Sequence, residues 1–290
     1  MMRSKNIPYL LIILLVVTAF LGKIVLNPNQ VMYTGGSDHI TVFGVYKYLI
    51  HHTISTYGEI PLWMPQVLSN GAFAADQSTY LFYPLNLLYF LFDDNLVTNI
   101  LVYLHILLLA INMYFFVRIL GCSRYASLCS AIIVAFSGKL MASLFTVGHT
   151  SFLNLAWTPL IFLLLELSIR KKSYVYYLGT GLVMAIQLLG VHIQLFLYST
   201  FCLLLYFIFR IFFMKDTKNK RYKHVVLFSL CLFFFVLAYS AQFIPTFQLY
   251  LVESRGGGTT WDFASSYSLP PKQLISFFLP NFFGNPVNHT

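Results

Sequence analysis

The stretch 173–209, SYVYYLGTGLVMAIQLLGVHIQLFLYSTFCLLLYFIF, runs for 37 residues without an Asp, Glu, Lys or Arg. As one helix it would extend about 55 Å at 1.5 Å per residue, against a bilayer hydrocarbon core of roughly 30 Å. It is too long for one crossing and has nothing to hold it in water, so it predicts two spans joined by a hairpin. Polarity concentrates at Gly190-Val191-His192-Ile193-Gln194, where the tip is expected. Five more runs reach spanning length. They are 7–26, with Lys23 near its end; 96–117, without charge; 128–147, with Lys139 alone; 152–168, with Glu166 near its end; and 225–252, where Pro245 predicts a kink or an early stop. The total is seven spans in an all-α polytopic protein.

Composition agrees, with 58% of the 290 residues hydrophobic and 9% charged, where a soluble domain carries about 25% charged residues. The net charge of +9 is of the kind that accompanies nucleic-acid binding. Here the cations sit in short breaks between apolar runs, so the excess describes topology and no nucleic-acid partner is expected. With residues 1–6 in the cytoplasm, thirteen of the eighteen Lys and Arg fall inside and seven of the nine Asp and Glu outside. Reversal would translocate those thirteen cations, against the positive-inside bias. The first run is longer than a signal-peptide core and has no A-x-A-like site after it, so it is expected to stay as a span. The single transmembrane domain 1–290 then comprises a first span at 1–26, an outer loop at 27–95, spans two to seven at 96–252 and an outer segment at 253–290.

Cys122, Cys129, Cys202 and Cys231 all lie in spans or inner loops and are expected to be small buried apolar residues without an outer disulfide. There is no zinc-type Cys/His spacing, P-loop, G-x-G-x-x-G or G-x-S-x-G, which removes support for nucleotide hydrolysis and serine-hydrolase chemistry.

The outer loop 27–95 is neither low in complexity nor highly charged and reads as folded. Residues 40–57 place Phe43, Tyr46, Ile50 and Ile54 at helical spacing, predicting an amphipathic helix in the membrane interface. Residues 80–92 are apolar but only 13 long, which suits an interfacial or re-entrant segment. Between and before them stand Asp38 and His39 after Gly35-Gly36-Ser37, Glu59 near Trp63, and Asp76-Gln77. A carboxylate at such a membrane face is placed to act as a general base or to help hold a cation, although outer acids are also simply solvated.

Several patches of this loop resemble the first outer loop of the YfhO-like bacterial membrane proteins: Gly36-Ser37-Asp38-His39, Pro61-Leu62-Trp63-Met64-Pro65, Asp76-Gln77-Ser78 with Tyr80, and Phe82-Tyr83-Pro84-Leu85-Asn86-Leu87-Leu88. The resemblance continues through Gly148-His149-Thr150, Leu155-Ala156-Trp157-Thr158-Pro159-Leu160, Gln187 to Gln194, Pro245-Thr246, Glu253-Ser254-Arg255, Tyr267 to Pro271 and Pro280-Asn281-Phe282-Phe283-Gly284. It implies the GT-C group of membrane glycosyltransferases, which move a sugar from a polyprenyl-phosphate carrier to an acceptor such as an envelope glycan outside a bacterial plasma membrane. It also implies Asp38 as the active-site acid, and further spans beyond Thr290. No D-x-D pair is present, Asp93 and Asp94 being adjacent, so neither a metal nor a cofactor is expected.

Around Asp38 the candidate substrate-binding residues are His39, Glu59, Trp63, Asp76, Gln77, Tyr80, Lys139, His149, His192 and Arg255. Trp63, Tyr80 and Tyr83 are placed to stack on a sugar ring. Lys139 lies within a span, where insertion of a cation costs at least ~2.5–3.5 kcal/mol; it either snorkels or pairs with an acid such as Asp38, or it meets the carrier phosphate. His149 and His192, at outer span ends, are interfacial polar residues or hold a phosphate or sugar hydroxyl. Arg255, beside Gly256-Gly257-Gly258, is placed to grip phosphate. Glu166 is one turn from Arg170, and an i,i+4 pair accounts for it. A flippase for a lipid-linked glycan and a non-catalytic assembly protein remain alternatives to the transferase.

Overall fold

The computed structural model describes residues 4–27, 37–64, 71–144, 150–214, 218–252, 260–266, 268–279 and 282–284. Among them the secondary structure is helical, with one isolated bridge pairing Met64 and Gly71. The chain separates into units 1–246 and 247–290.

In the first unit, α1 (Ile7–Val25) opens with a proline in its first turn and packs Ile13, Val17 and Leu21 against α3 (Asp94–Ile119). The Asp93 carboxylate caps α3 by accepting from the backbone N–H groups of Asn95 and Leu96, satisfying donors that a helix start leaves unpaired. The two helices are antiparallel. Asn99 Nδ2 donates to the Ile24 carbonyl at one end, and the Tyr114 hydroxyl donates to Asn6 Oδ1 at the other.

The third spanning-length run is two pieces, α4 (Arg124–Ala135), capped by Ser123, and α5 (Gly138–Ala142). Against the expected span at 128–147, the helix starts earlier, at Arg124, and is broken at Phe136-Ser137, where a Ser-Gly pair weakens the hydrogen-bond ladder; residues 145–147 lie outside the described residues. A 3-10 stretch, Thr150–Trp157, leads into α6 (Thr158–Lys171), whose second residue is Pro159.

The decisive stretch folds back where expected, with α7 (Tyr174–Gly190) and α8 (Ile193–Phe212) meeting at Val191-His192. The last long helix, α9 (Lys218–Val252), continues through Pro245 without ending there. Six helical segments are long and apolar enough to cross a membrane: Ile7–Val25, Asp94–Ile119, Arg124–Ala142, Leu153–Lys171, Ile193–Phe212 and Arg221–Val252. The seventh apolar helix, α7, has 17 residues, about 25 Å of rise. The protein is thus an all-helical membrane protein, with six helices of spanning length among the described residues.

Two apolar cores hold the bundle. One joins α1, α3, α4 and α5; the other joins α6, α7, α8 and α9. A third cluster lies beneath α2 (Gly44–Tyr57), which follows a π-type turn at His39–Phe43. The amphipathic stripe on α2, expected on a helix in the membrane interface, meets protein. Ile50 is fully buried, and Tyr46 and Ile54 pack with it on Phe73, Leu81, Tyr89 and Leu101. The opposite face carries Val45 and Tyr48 in exposed positions, so α2 is apolar on both sides and its protein-facing side is the stripe. Of the cysteines, Cys231 is buried, whereas Cys122, Cys129 and Cys202 are exposed on the protein surface, correcting the expectation that all four are core residues. Thin, lipid-facing helices leave small apolar side chains outside as readily as inside.

In the second unit, α10 (Trp261–Ser265) is capped by Thr260, and a 3-10 turn spans Pro271–Phe277. Trp261, Phe277 and Phe278 there are exposed.

Candidate functional site

The short α7 creates the site. Its last carbonyls lie where water is scarce and need donors from elsewhere in the protein. Gln77 Nε2 donates to the carbonyls of Leu188 (3.2 Å) and Val191 (3.5 Å), and Asn154 Nδ2 to that of Gly190 (2.5 Å). The outer loop is thereby seated on the hairpin tip. Its next residues turn through Tyr80, in left-handed conformation at φ 51°, and enter the 3-10 stretch Pro84–Phe90.

Tyr83 reaches inward to His105, eleven residues into α3 and about 16 Å along its axis. The Leu101 carbonyl can only accept, so His105 Nδ1 carries a proton (2.6 Å). Nε2 then accepts from the Tyr83 hydroxyl (2.6 Å), which in turn accepts from Trp157 Nε1 (2.9 Å). Within the segment 80–92, Tyr83 thus meets a polar residue well inside α3, while Tyr89 meets Thr98 nearer its start.

Beside this chain lies Lys47 of α2, 7% exposed. Its ammonium sits 5.2 Å from the centre of the Tyr89 ring, a cation–π contact, and makes no ion pair among the described residues. Burial pushes Lys47 down to about 7, opposed by the charge of Asp94. His39 on the preceding turn is lowered to about 2, first by burial and then by Lys47, and is neutral. Lys47, Tyr80, Tyr83, His105 and Asn154 line a cavity of about 20 Å³, room for roughly one water. Asn154 Oδ1 is buried there and accepts no hydrogen bond.

A second cavity, of about 70 Å³, lies between the loop and the hairpin tip and is lined by Gln77, Ser78, Tyr80, Val191, His192 and Ile193. Tyr80 is common to both cavities, and its ring stacks on Phe43 at 5.9 Å between centroids. Thus three expected substrate-binding residues from two distant parts of the chain, Gln77, Tyr80 and His192, meet at one cavity.

The other expected residues fall as follows. Asp38 is half-buried at the head of the helix that carries Lys47, with His39 buried beside it. Asp76 is engaged locally, accepting from the Ser78 backbone N–H (2.8 Å) and the Tyr46 hydroxyl (3.5 Å). Glu59 and Trp63 are exposed and line neither cavity. Lys139 is exposed at the start of α5 and also lines neither. His149 and Arg255 lie outside the described residues. Among the described residues no group of three His, Cys, Asp or Glu is arranged to hold a metal ion.

Sequence reasoning missed Lys47, His105 and Asn154, and gave Tyr83 a place on a sugar ring instead of its contact with His105. For Lys47 a signal existed. Positions 43, 47, 50 and 54 form one helical stripe, so the lysine interrupts an apolar face. His105 and Asn154 were lone polar residues inside otherwise apolar runs, with nothing in sequence to pair them.

No family model matches the chain, and neither a curated protein nor a solved structure is significantly similar to it.

Proposed function

We propose that this protein is a membrane glycosyltransferase of the GT-C type, related to the YfhO-like proteins. In this reading it crosses a bacterial plasma membrane seven times with its N-terminus in the cytoplasm. It transfers a sugar from a polyprenyl-phosphate carrier to an acceptor outside, such as an envelope glycan. The observation that carries the reading is the seating of the acid-bearing loop on the α7–α8 tip, which brings Gln77, Tyr80 and His192 to one cavity. Asp38 lies five residues before Phe43, the ring that packs on Tyr80.

In the transfer, the bond from the sugar's anomeric carbon to the carrier phosphate breaks and one to the acceptor oxygen forms. Asp38 takes the acceptor's proton as that bond forms. Asp76, tied up as a turn cap, and the exposed Glu59 are less suited.

A second reading, movement of a lipid-linked glycan across the membrane, is favoured by the buried cation Lys47 beside the inward-lying His105. Purified protein in liposomes, given a polyprenyl-phosphate sugar and an acceptor, separates them. Transfer is expected, and Asp38→Asn should lower turnover by about 10²- to 10⁴-fold while leaving insertion intact. Activity within a few-fold of the parent removes Asp38 from catalysis. Redistribution of the lipid between leaflets without transfer replaces the enzyme with the transporter.

A further inference from the structure

Two buried groups in the inner cavity have no partner in hydrogen-bond or ion-pair contact among the described residues. Lys47 is a cation with an aromatic face and no ion pair among the described residues, the Asp94 carboxylate acting on it only from beyond contact distance. Asn154 Oδ1 is a buried acceptor with His105 beside it but no donor in hydrogen-bond geometry. A single water satisfies hydrogen bonds there but supplies no negative charge. A group that answers both residues carries an anionic oxygen for Lys47 and a hydroxyl for Asn154, which is the combination a glycosyl phosphate offers.

The inner cavity as it stands holds about one water, and Tyr80 lines both it and the larger cavity at Gln77 and His192. Tyr80 occupies the left-handed backbone region at φ 51°, an unfavourable conformation for a bulky residue, and such strain gathers at ligand clamps and switch points. Rotation of the Tyr80 ring away from Phe43 would merge the two spaces.

We propose that Lys47 anchors the phosphate of a lipid-linked sugar in a site formed by the joined cavities, with Tyr80 as the movable wall and Asn154 receiving a sugar hydroxyl. This deepens the proposed glycosyl transfer, on which it rests for the nature of the lipid. The anion site itself is testable without turnover.

The test is equilibrium binding by the full chain in phosphatidylcholine nanodiscs of three probes: a polyprenyl phosphate, the uncharged polyprenol, and inorganic phosphate as competitor. The polyprenyl phosphate should bind and the polyprenol should not. Lys47→Met, which keeps the side-chain volume, should weaken binding roughly 10- to 100-fold, the worth of a hydrogen bond to a charged group, and Lys47→Arg should restore most of it. Thermal unfolding of each variant reports whether the fold persists. Competition by inorganic phosphate at similar concentrations supports a site that reads the phosphate alone; failure to compete supports a lipid head-group site. Equal binding by parent and Lys47→Met, or by phosphate and polyprenol, overturns the proposal. Lys47-dependent binding without sugar transfer sinks the transferase and leaves the anion site. Transfer with binding indifferent to Lys47 sinks the anion site alone.

Discussion

Lys47 is buried beside a cavity lined by residues of the segment 80–89, α3, Asn154 and Gly190, and a buried cation without an ion pair carries a desolvation cost. Its amine is held at about 7, against an ordinary 10.5, by burial. Between those values the unfolded chain binds the proton and the folded chain does not, so stability should rise as pH increases from about 7 to about 10.5. Below about 7 both states are protonated and the full penalty stands. Asp94, His39 and the Tyr89 phenol surround the amine, so the comparison must be made within one background. Lys47→Met should flatten that slope and, at pH 6, raise stability by about 1–3 kcal/mol. Thermal melts of parent and variant across pH 6 to 10 check it, and a parallel pair of curves would mean the amine is solvated. The signal of Lys47 in sequence was a charge in an apolar stripe, but the stripe alone does not say whether that face meets lipid, water or protein. The structure supplies protein.

Among the elements, the expected Glu166–Arg170 pair is present at 2.5 Å but proves to be one arm of a larger clamp. Arg210 of α8 grips both Glu166 oxygens (2.8 and 2.9 Å), and the Tyr206 hydroxyl donates to one of them (2.7 Å). Helices α6 and α8 are thus locked by a carboxylate that is wholly buried. Glu166→Gln leaves two guanidinium groups around a neutral amide, and a cost of about 3–5 kcal/mol is expected, read as a loss of thermal stability with α6 and α8 separating first. On the other side of α7, a Cβ at Gly181 would stand 2.5 Å from the Cys231 backbone oxygen. Backbone cannot yield as a side chain does, so Gly181→Ala should push α9 away and destabilise by roughly 1–3 kcal/mol, measured against the open position Gly138→Ala as control. The helices themselves were legible in the sequence because their length and lack of charge follow from the thickness of a bilayer. The hairpin tip was legible because polar residues interrupt a run too long to cross once. Their partnerships were not, since contacts such as Arg210 with Glu166, or Asn154 with Gly190, join positions dozens of residues apart and leave no periodic trace.

At the scale of the helical unit, side-chain bonds sort the helix ends into two groups. Tyr114 with Asn6, Tyr177 with His224, and Arg210 with Glu166 tie one end, to which the ring pairs of Phe116 with Phe162 and Tyr206 connect them. That end bears Lys5, Arg118, Arg124, Arg170, Lys171, Arg210, Arg221 and Lys223. The other is tied by Asn99 with Ile24, Gln77 with Leu188, and Thr246 with Ala75, and bears Asp38, Glu59, Asp76, Asp93 and Asp94. Cations near span ends resist translocation, so the basic end should face the cytoplasm and both cavities should open toward the outer side. In a background with the four native cysteines replaced, a cysteine at the exposed position Glu59 should react with an impermeant thiol reagent in intact cells, and one at Lys223 only after the membrane is opened. The opposite pattern would put Asp38 and the Lys47 cavity on the cytoplasmic face. A transferase there would meet nucleotide-activated sugars instead of an outer acceptor, so this single orientation measurement decides whether the proposed chemistry has its substrates within reach.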